Sequence, residues 1–148
     1  MSHSPELWDR ASLPSPVIPL ERSFEGWLDL EWLEFDRESA HVRLNVRENM
    51  RQPLGLLHGG IYSAVAETVA SVATVAAVWE DGYVGSGLNN YASFLRPVTG
   101  GTLDVFAKLR GHDDREWTWG HEFRDEQGRL CALVDVTIAV RPATTQPE

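Results

Sequence analysis

"QPLGLLHGGIYSAVAETVAS", residues 52–71, is the stretch on which the fold turns. It passes from a proline-containing segment through His58, Gly59 and Gly60 into a run of alanine and valine where Glu67 is the only charge. The run predicts a helix from Gly59 or Gly60 to about Glu80, stopped by the polar "EDGY" with Gly82 just past its end. Apolar or small residues occupy almost every side of it, the pattern of a helix surrounded by protein. Its β-branched valines lower its own propensity, so packing must hold it. A membrane span needs about 20 such residues. Here most are Ala, Ser, Thr and Gly, and Glu67 at mid-span would cost roughly 2–3 kcal/mol, so no membrane partner is expected.

Outward from the helix the period changes to two. "WLDLEWLEF" (27–35) alternates, and "SAHVRLNV" (39–46) places Ala40, Val42, Leu44 and Val46 on one face, with Asp36, Arg37 and Glu38 as the turn between. Strand character therefore begins near Phe24. After the helix, Val84–Leu95, Thr102–His112, Glu116–Asp125 and Leu130–Arg141 read as strands joined by short turns, which favours antiparallel neighbours. Two strands, a long helix and four strands make an α+β domain whose simplest form is one curled antiparallel sheet around the helix. Residues 1–23, with Pro5, Pro14, Pro16 and Pro19, read as an irregular arm, 24–142 as the folded domain and 143–148 as a tail.

A length of 148 residues suits one domain, and 43% hydrophobic with 24% charged residues suits a globular one. A net charge of −9 repels phosphate backbones and anionic lipid, which argues against nucleic acid as a partner. Cys131 is the only cysteine and "MSHSPELWDR" lacks a basic start before an apolar core, so the cytoplasm is the expected address. The five histidines show no metal spacing, and no metal is expected. The glycines of "GSG" (85–87) lack the spacing of a nucleotide loop. Trp117, Trp119 and Phe123 share a strand face and read as core or subunit packing.

Glu67 and Ser71 are four apart and share a helix face, with Ser63 a turn before and Thr74 beyond. A carboxylate buried there needs a use, a cationic partner from the sheet, or a position that faces solvent after all. Gly59 and Gly60 offer unhindered N–H groups at the positive end of the helix, able to hold an oxyanion, though such glycines also serve tight turns. His58 reads as a base or ligand, or as a turn histidine bonded to backbone.

"GLLHGGIYSAVAETVAS", with "NYASFLRPV" (90–98) and "DEQGRLCALVDVTIAVRP" (125–142), resembles the hotdog-fold acyl-CoA thioesterases, in particular the 4-hydroxybenzoyl-CoA thioesterases of the Arthrobacter type and the related phenylacetate-pathway (PaaI-like) group, over about residues 25–142. That resemblance implies Glu67 as the catalytic carboxylate, the Gly59 N–H as the oxyanion donor, Gln52 as an assisting amide and Ser71 where relatives carry Ser or Thr. It implies a homodimer with Glu67 of one subunit facing Gln52 and Gly59 of the other, and a further doubling to a tetramer. No cofactor is implied beyond coenzyme A as part of the substrate. Gly60, Tyr62, Asn90, Arg96, Asp114 and Arg115 fall at substrate-contacting positions, with Arg141 a second cation for the nucleotide phosphates. The chain departs from the family at "GHDDREW", where relatives have small or hydroxyl residues near the pantetheine arm. It departs again at Val72, where a relative has a second acidic residue. Glu67 would attack the acyl carbon or activate a water. A hotdog hydratase or dehydratase, and an acyl-CoA-binding module without turnover, remain the alternatives.

Overall fold

Ser39–Asn45 alternates in space as it does in sequence, with Ala40, Val42 and Leu44 buried and the residues between them facing outward. The structure, a computed structural model, describes residues 13–144. Pro5 of the arm and residues 145–148 of the tail lie outside the described residues. The elements are helix α1 (Phe24–Leu28), strands β1 (Glu31–Phe35) and β2 (Ser39–Asn45), helix α2 (Gly59–Val78), and strands β3 (Tyr83–Phe94), β4 (Thr102–His112), β5 (Glu116–Arg124) and β6 (Leu130–Pro142). All strand pairs are antiparallel, in the order β1-β2-β4-β5-β6-β3, which leaves β1 and β3 as edges. One curled sheet against one long helix is the hotdog fold that the sequence implied.

Register ties the sheet together in one row. Trp32, Val42, Val105, Phe123, Ala132 and Phe94 are successive partners across all six strands. The four inner members are fully buried, and the row ends at Phe94 on the edge strand, beside the start of α2. Farther along, Trp117 and Trp119 enter the same core, and the Trp119 Nε1–H donates to Thr74 Oγ1 at 2.9 Å.

Strand character does not begin at Phe24. Ser23 caps α1, its Oγ accepting the Gly26 N–H at 3.1 Å and donating to Leu20 O at 2.6 Å. Asp29 ends α1 in the left-handed conformation, φ 54°. A Cβ at Gly26 would stand 2.0 Å from Leu20 O, so the arm lies directly on that residue. Arg47 donates to the carbonyl oxygens of Trp27 and Leu28 and stacks over the Trp27 ring.

The helix is covered differently from its sequence pattern as well. The sheet buries Tyr62, Val65, Ala66, Val69, Ala70 and Ala73 of α2, yet Gly60 and Glu67 stay exposed and Ser63, Ser71, Val72 and Val75 only half-buried. A sheet of this width curls around one side of a helix and leaves the other to something else. With its terminal turn, α2 is long and apolar enough to cross a membrane, but 61% of the apolar window is buried against the sheet, as in the core helix of a soluble protein.

His121 is 1% exposed on β5, its Nδ1 bonded to Val134 O at 3.0 Å and its Nε2 without a partner among the described residues. Burial pushes its pKa down from 6.5 to about 4; Asp135 and the Val134 carbonyl oppose the shift, and Arg110 adds to it. The folded state therefore favours the neutral ring. Its contribution is complete above pH 6.5 and is lost as pH falls towards 4, roughly 3 kcal/mol in all. Thermal melting from pH 7 to pH 4.5 should show a falling Tm that His121→Leu flattens.

Candidate active site

The segment before α2 is a tight loop locked to the body. Arg51 and Leu57 form an antiparallel bridge, Gly55 turns at φ 90°, and the Leu57 and His58 N–H groups donate to Val98 O and Met50 O at 2.7 and 3.0 Å. Gln52 belongs to this loop. Its side-chain oxygen accepts the Leu54 N–H at 2.7 Å, which leaves the amide NH2 as the group free to reach outward.

The first N–H groups of a helix have no carbonyl within it. At α2 two of them are satisfied by His58: the Gly60 N–H donates to Nδ1 at 2.9 Å and the Ile61 N–H to the His58 carbonyl at 3.0 Å. The Gly59 N–H takes no partner among the described residues. One donor thus stays open at the positive end of a 20-residue helix, where an oxyanion is favoured. His58 is the cap, with Nδ1 held as an acceptor, so only Nε2 remains for other work. Gly60, expected at the substrate, has its N–H taken by that cap.

Phe94 stands over Gly59. Its Cζ would lie 2.8 Å from a Cβ built there, so the glycine keeps the donor open beside an aromatic wall. Tyr62 backs that wall, 5.6 Å from Phe94 and edge-on to Phe123 at 5.1 Å. Burial holds the Tyr62 hydroxyl up at about 12, so it packs as a neutral phenol.

Glu67 lies on the open side of α2, against β3. A Cβ at Gly87 would stand 2.7 Å from Glu67 Oε1, and one at Gly85 3.3 Å from Thr74 Cγ2. The "GSG" glycines are therefore where the edge strand crosses the helix at close range. Thr74, on the same stripe, is roofed over and fully buried. Asn90 Nδ2 clamps the crossing by donating to Ser63 O at 2.9 Å, while its buried Oδ1 has no partner among the described residues. The register slips between Gly87 and Asn89, leaving Leu88 exposed. Ser71 follows Glu67 by one turn.

Glu67 and Gly59 are eight residues apart, so at 1.5 Å rise per residue they stand about 12 Å apart along the axis. Asp114 and Arg115 sit exposed in the β4–β5 turn, which Asp113 organises by accepting the Arg115 and Glu116 N–H groups at 2.7 and 2.8 Å, holding its own pKa down. Arg115 and Arg141 share a 490 Å³ groove with Tyr83, Leu88 and two carboxylates, Asp114 and Glu116. Arg96 is exposed beyond the other end of β3, near Gly59. Gly87 and Phe94 were not singled out from sequence; glycines inside a strand were the available signal for the first, and nothing local marked the second. Among the described residues no cluster of His, Cys, Asp and Glu could hold a metal.

Helix α2 thus carries an open N-terminal donor and a lone carboxylate on its uncovered face, inside a curled sheet of the hotdog type. The thioesterase superfamily model matches residues 54–132, just over half of the chain. A 1,4-dihydroxy-2-naphthoyl-CoA hydrolase of Escherichia coli is 31% identical over 81% of this chain and 88% of its own. The structure of thioesterase HI1161 from Haemophilus influenzae superposes with a TM-score of 0.77 at 27% identity, covering 90% of this chain and 97% of that one. A mutant of thioesterase PA1618 from Pseudomonas aeruginosa also gives 0.77 at 27% identity, over 88% and 99%. The chain belongs to the thioesterase superfamily, enzymes that hydrolyse thioesters.

Two glycines separate donor from carboxylate experimentally. Gly59→Pro deletes the open N–H and, like Gly59→Ala, adds a Cβ that must push Phe94 aside, so the donor is read from the pair: in a thiol-release assay kcat should fall by ~10²–10³ more in the proline variant than in the alanine one. In Gly87→Ala the new methyl must displace the Glu67 side chain, an inexpensive shift for stability but not for chemistry. Its kcat should fall with little change in Tm.

Proposed function

We propose that the chain is a homodimeric acyl-CoA thioesterase in which the Glu67 carboxylate of one subunit and the Gly59 N–H of the other act on the same carbonyl. The observation that carries this reading is that the two groups sit more than two helical turns apart on α2, with about 12 Å of axial rise between their Cα atoms. Both are accessible and neither has another use: the Gly59 N–H is unpaired among the described residues and Glu67 is exposed. β3 is an unpaired edge that carries Tyr91 and Phe94, 71% and 58% exposed, and pairing it with a second β3 removes an aggregation-prone edge and brings two α2 faces together. Further doubling to a tetramer is in keeping with the same family.

Glu67 then attacks the acyl carbon to give an anhydride that water afterwards cleaves to the free acid and the restored carboxylate, or takes a proton from a water that attacks directly. The carbonyl oxygen gains charge against the Gly59 N–H, and the thiolate departs with little need for protonation. The free Gln52 amide and Ser71 lie at the margins of that point. Arg115, Arg141 and Arg96 of the second subunit are the cations open to an anionic nucleotide end, with Asp114 and Glu116 offsetting the first two in their groove. Coenzyme A enters as part of the substrate, so no separate cofactor is required. A cytoplasmic address fits this substrate. The hydrolase named for 1,4-dihydroxy-2-naphthoyl-CoA supports an aromatic or similarly apolar acyl group. The capping role of His58 Nδ1 weighs against a hydratase, which needs a free histidine base.

Glu67→Gln tests the chemistry: thiol release from acyl-CoA should fall by ~10² or more, with Tm held. Shared sites are tested by mixing. Co-assembly of Glu67→Gln with Gly59→Pro chains should restore about half the activity per mixed dimer, since one site then has both groups intact. Chains bearing both changes, mixed with wild type, should give mixed dimers with no intact site. Failure of the first mixture to regain activity would refute the shared site.

A further inference from the structure

Asn90 is the polar member of an apolar row. Leu109, Trp119, Val136 and Asn90 are successive partners across four strands; Trp119 and Val136 are fully buried and Leu109 packs against the same core. Asn90 turns its amide onto α2, Nδ2 donating to Ser63 O at 2.9 Å, and its Oδ1 is buried without a partner among the described residues. A buried carbonyl oxygen that accepts nothing lowers stability. For packing alone leucine, with the same branching, is the better residue at this position.

What the amide holds is the turn that carries Glu67. In an α-helix the Ser63 carbonyl is the acceptor for the N–H four residues on, that of Glu67, and its second lone pair takes the Asn90 amide. Among the described residues this is the one side-chain hydrogen bond between β3 and α2. It falls where the strand is least held. The ladder to β6 slips between Gly87 and Asn89, and β3 has no strand on its other side. On one side of Asn90 the strand meets Glu67 at Gly87, and on the other it meets Gly59 through Phe94. Glu67 itself accepts no hydrogen bond among the described residues, so its carboxylate is aimed by its own backbone and by the strand alongside.

Resting on the thioesterase reading above, we infer that Asn90 is a positioning residue: acting through the Ser63 carbonyl, its amide holds the Glu67 carboxylate in place against β3, and it makes no contact with substrate. A shift of about 1 Å at a reacting group is enough to cost on the order of 10² in rate. The fold thus keeps a destabilising atom in its interior because of where that atom's amide partner fixes the carboxylate.

Two variants of the full chain separate position from stability. Asn90→Leu removes the donor and the unpaired oxygen together, and should hold or raise Tm. Asn90→Asp keeps the shape but sets a carboxylate against the Ser63 carbonyl, and should lower Tm. In thiol release from phenylacetyl- and decanoyl-CoA, kcat per folded molecule should fall at least about tenfold in both, with KM within about twofold of wild type. Crystal structures should show Glu67 against Gly87 in the wild type and displaced from it in Asn90→Leu. Asn90→Asp bears the same kinetic and crystallographic readings should the leucine variant not fold. A kcat that follows Tm, held in Asn90→Leu and lost only in Asn90→Asp, would make Asn90 a purely structural residue and overturn the proposal. A raised KM at unchanged kcat, the mark of a substrate contact, would overturn it as well. Displacement of Glu67 in the variant, with no thiol release from the wild type, would uphold the positioning role and overturn the hydrolase reading; an unmoved Glu67 would overturn the positioning role alone.

Discussion

Everything at the candidate site depends on how closely β3 crosses α2. Gly85 lies on Thr74 and Gly87 on Glu67, each within a distance that a side chain would occupy, and Asn90 fastens the strand to the Ser63 carbonyl. The close crossing fixes where the carboxylate points, brings Phe94 over Gly59, and breaks the ladder at Leu88 because the strand must bend past the helix. It also accounts for the buried Thr74 and exposed Glu67 on one helical stripe. The edge strand roofs the first and only borders the second.

The body of the fold was legible because two periods are written plainly in it: almost continuous small and apolar residues for α2, and alternation for β2 and for β4 to β6. Thr102–His112 is read from sequence without adjustment, and the other strand limits move by a residue or so. The start was misread because "WLDLEWLEF" alternates through α1 as well as β1, and a one-turn helix is too short to show a 3.6 period. Its signal was chemical instead, in the Ser23 cap and the glycine under Leu20. The uncovered side of α2 could not be read from composition, since it and the side under the sheet are built from the same small and apolar residues.

The site divides along a similar line. Residue types at helical spacing marked Glu67, Ser71 and the two glycines, because a carboxylate in an apolar helix and N–H groups at its start are visible as chemistry. Which glycine keeps its donor is a matter of geometry: His58 satisfies Gly60 and Ile61 and passes over Gly59. The same limit applies to Phe94, which comes to Gly59 through a register that runs across all six strands.

In the shared site proposed above, the open amide and the carboxylate it would face have a further consequence once the thioester is cleaved. The acid formed is an anion, left beside Glu67 in a chain whose net charge is −9. At about 4 Å two such charges repel by roughly 1 kcal/mol in water and about 4 kcal/mol in a partly desolvated cleft. The neutral thioester met the same carboxylate without that repulsion, so the site releases what it makes more readily than it releases what it binds. Inhibition by accumulated acid should consequently be weak, and uncharged mimics of the substrate carbonyl, such as a methyl ketone or an amide, should occupy the cleft far better than the acid itself.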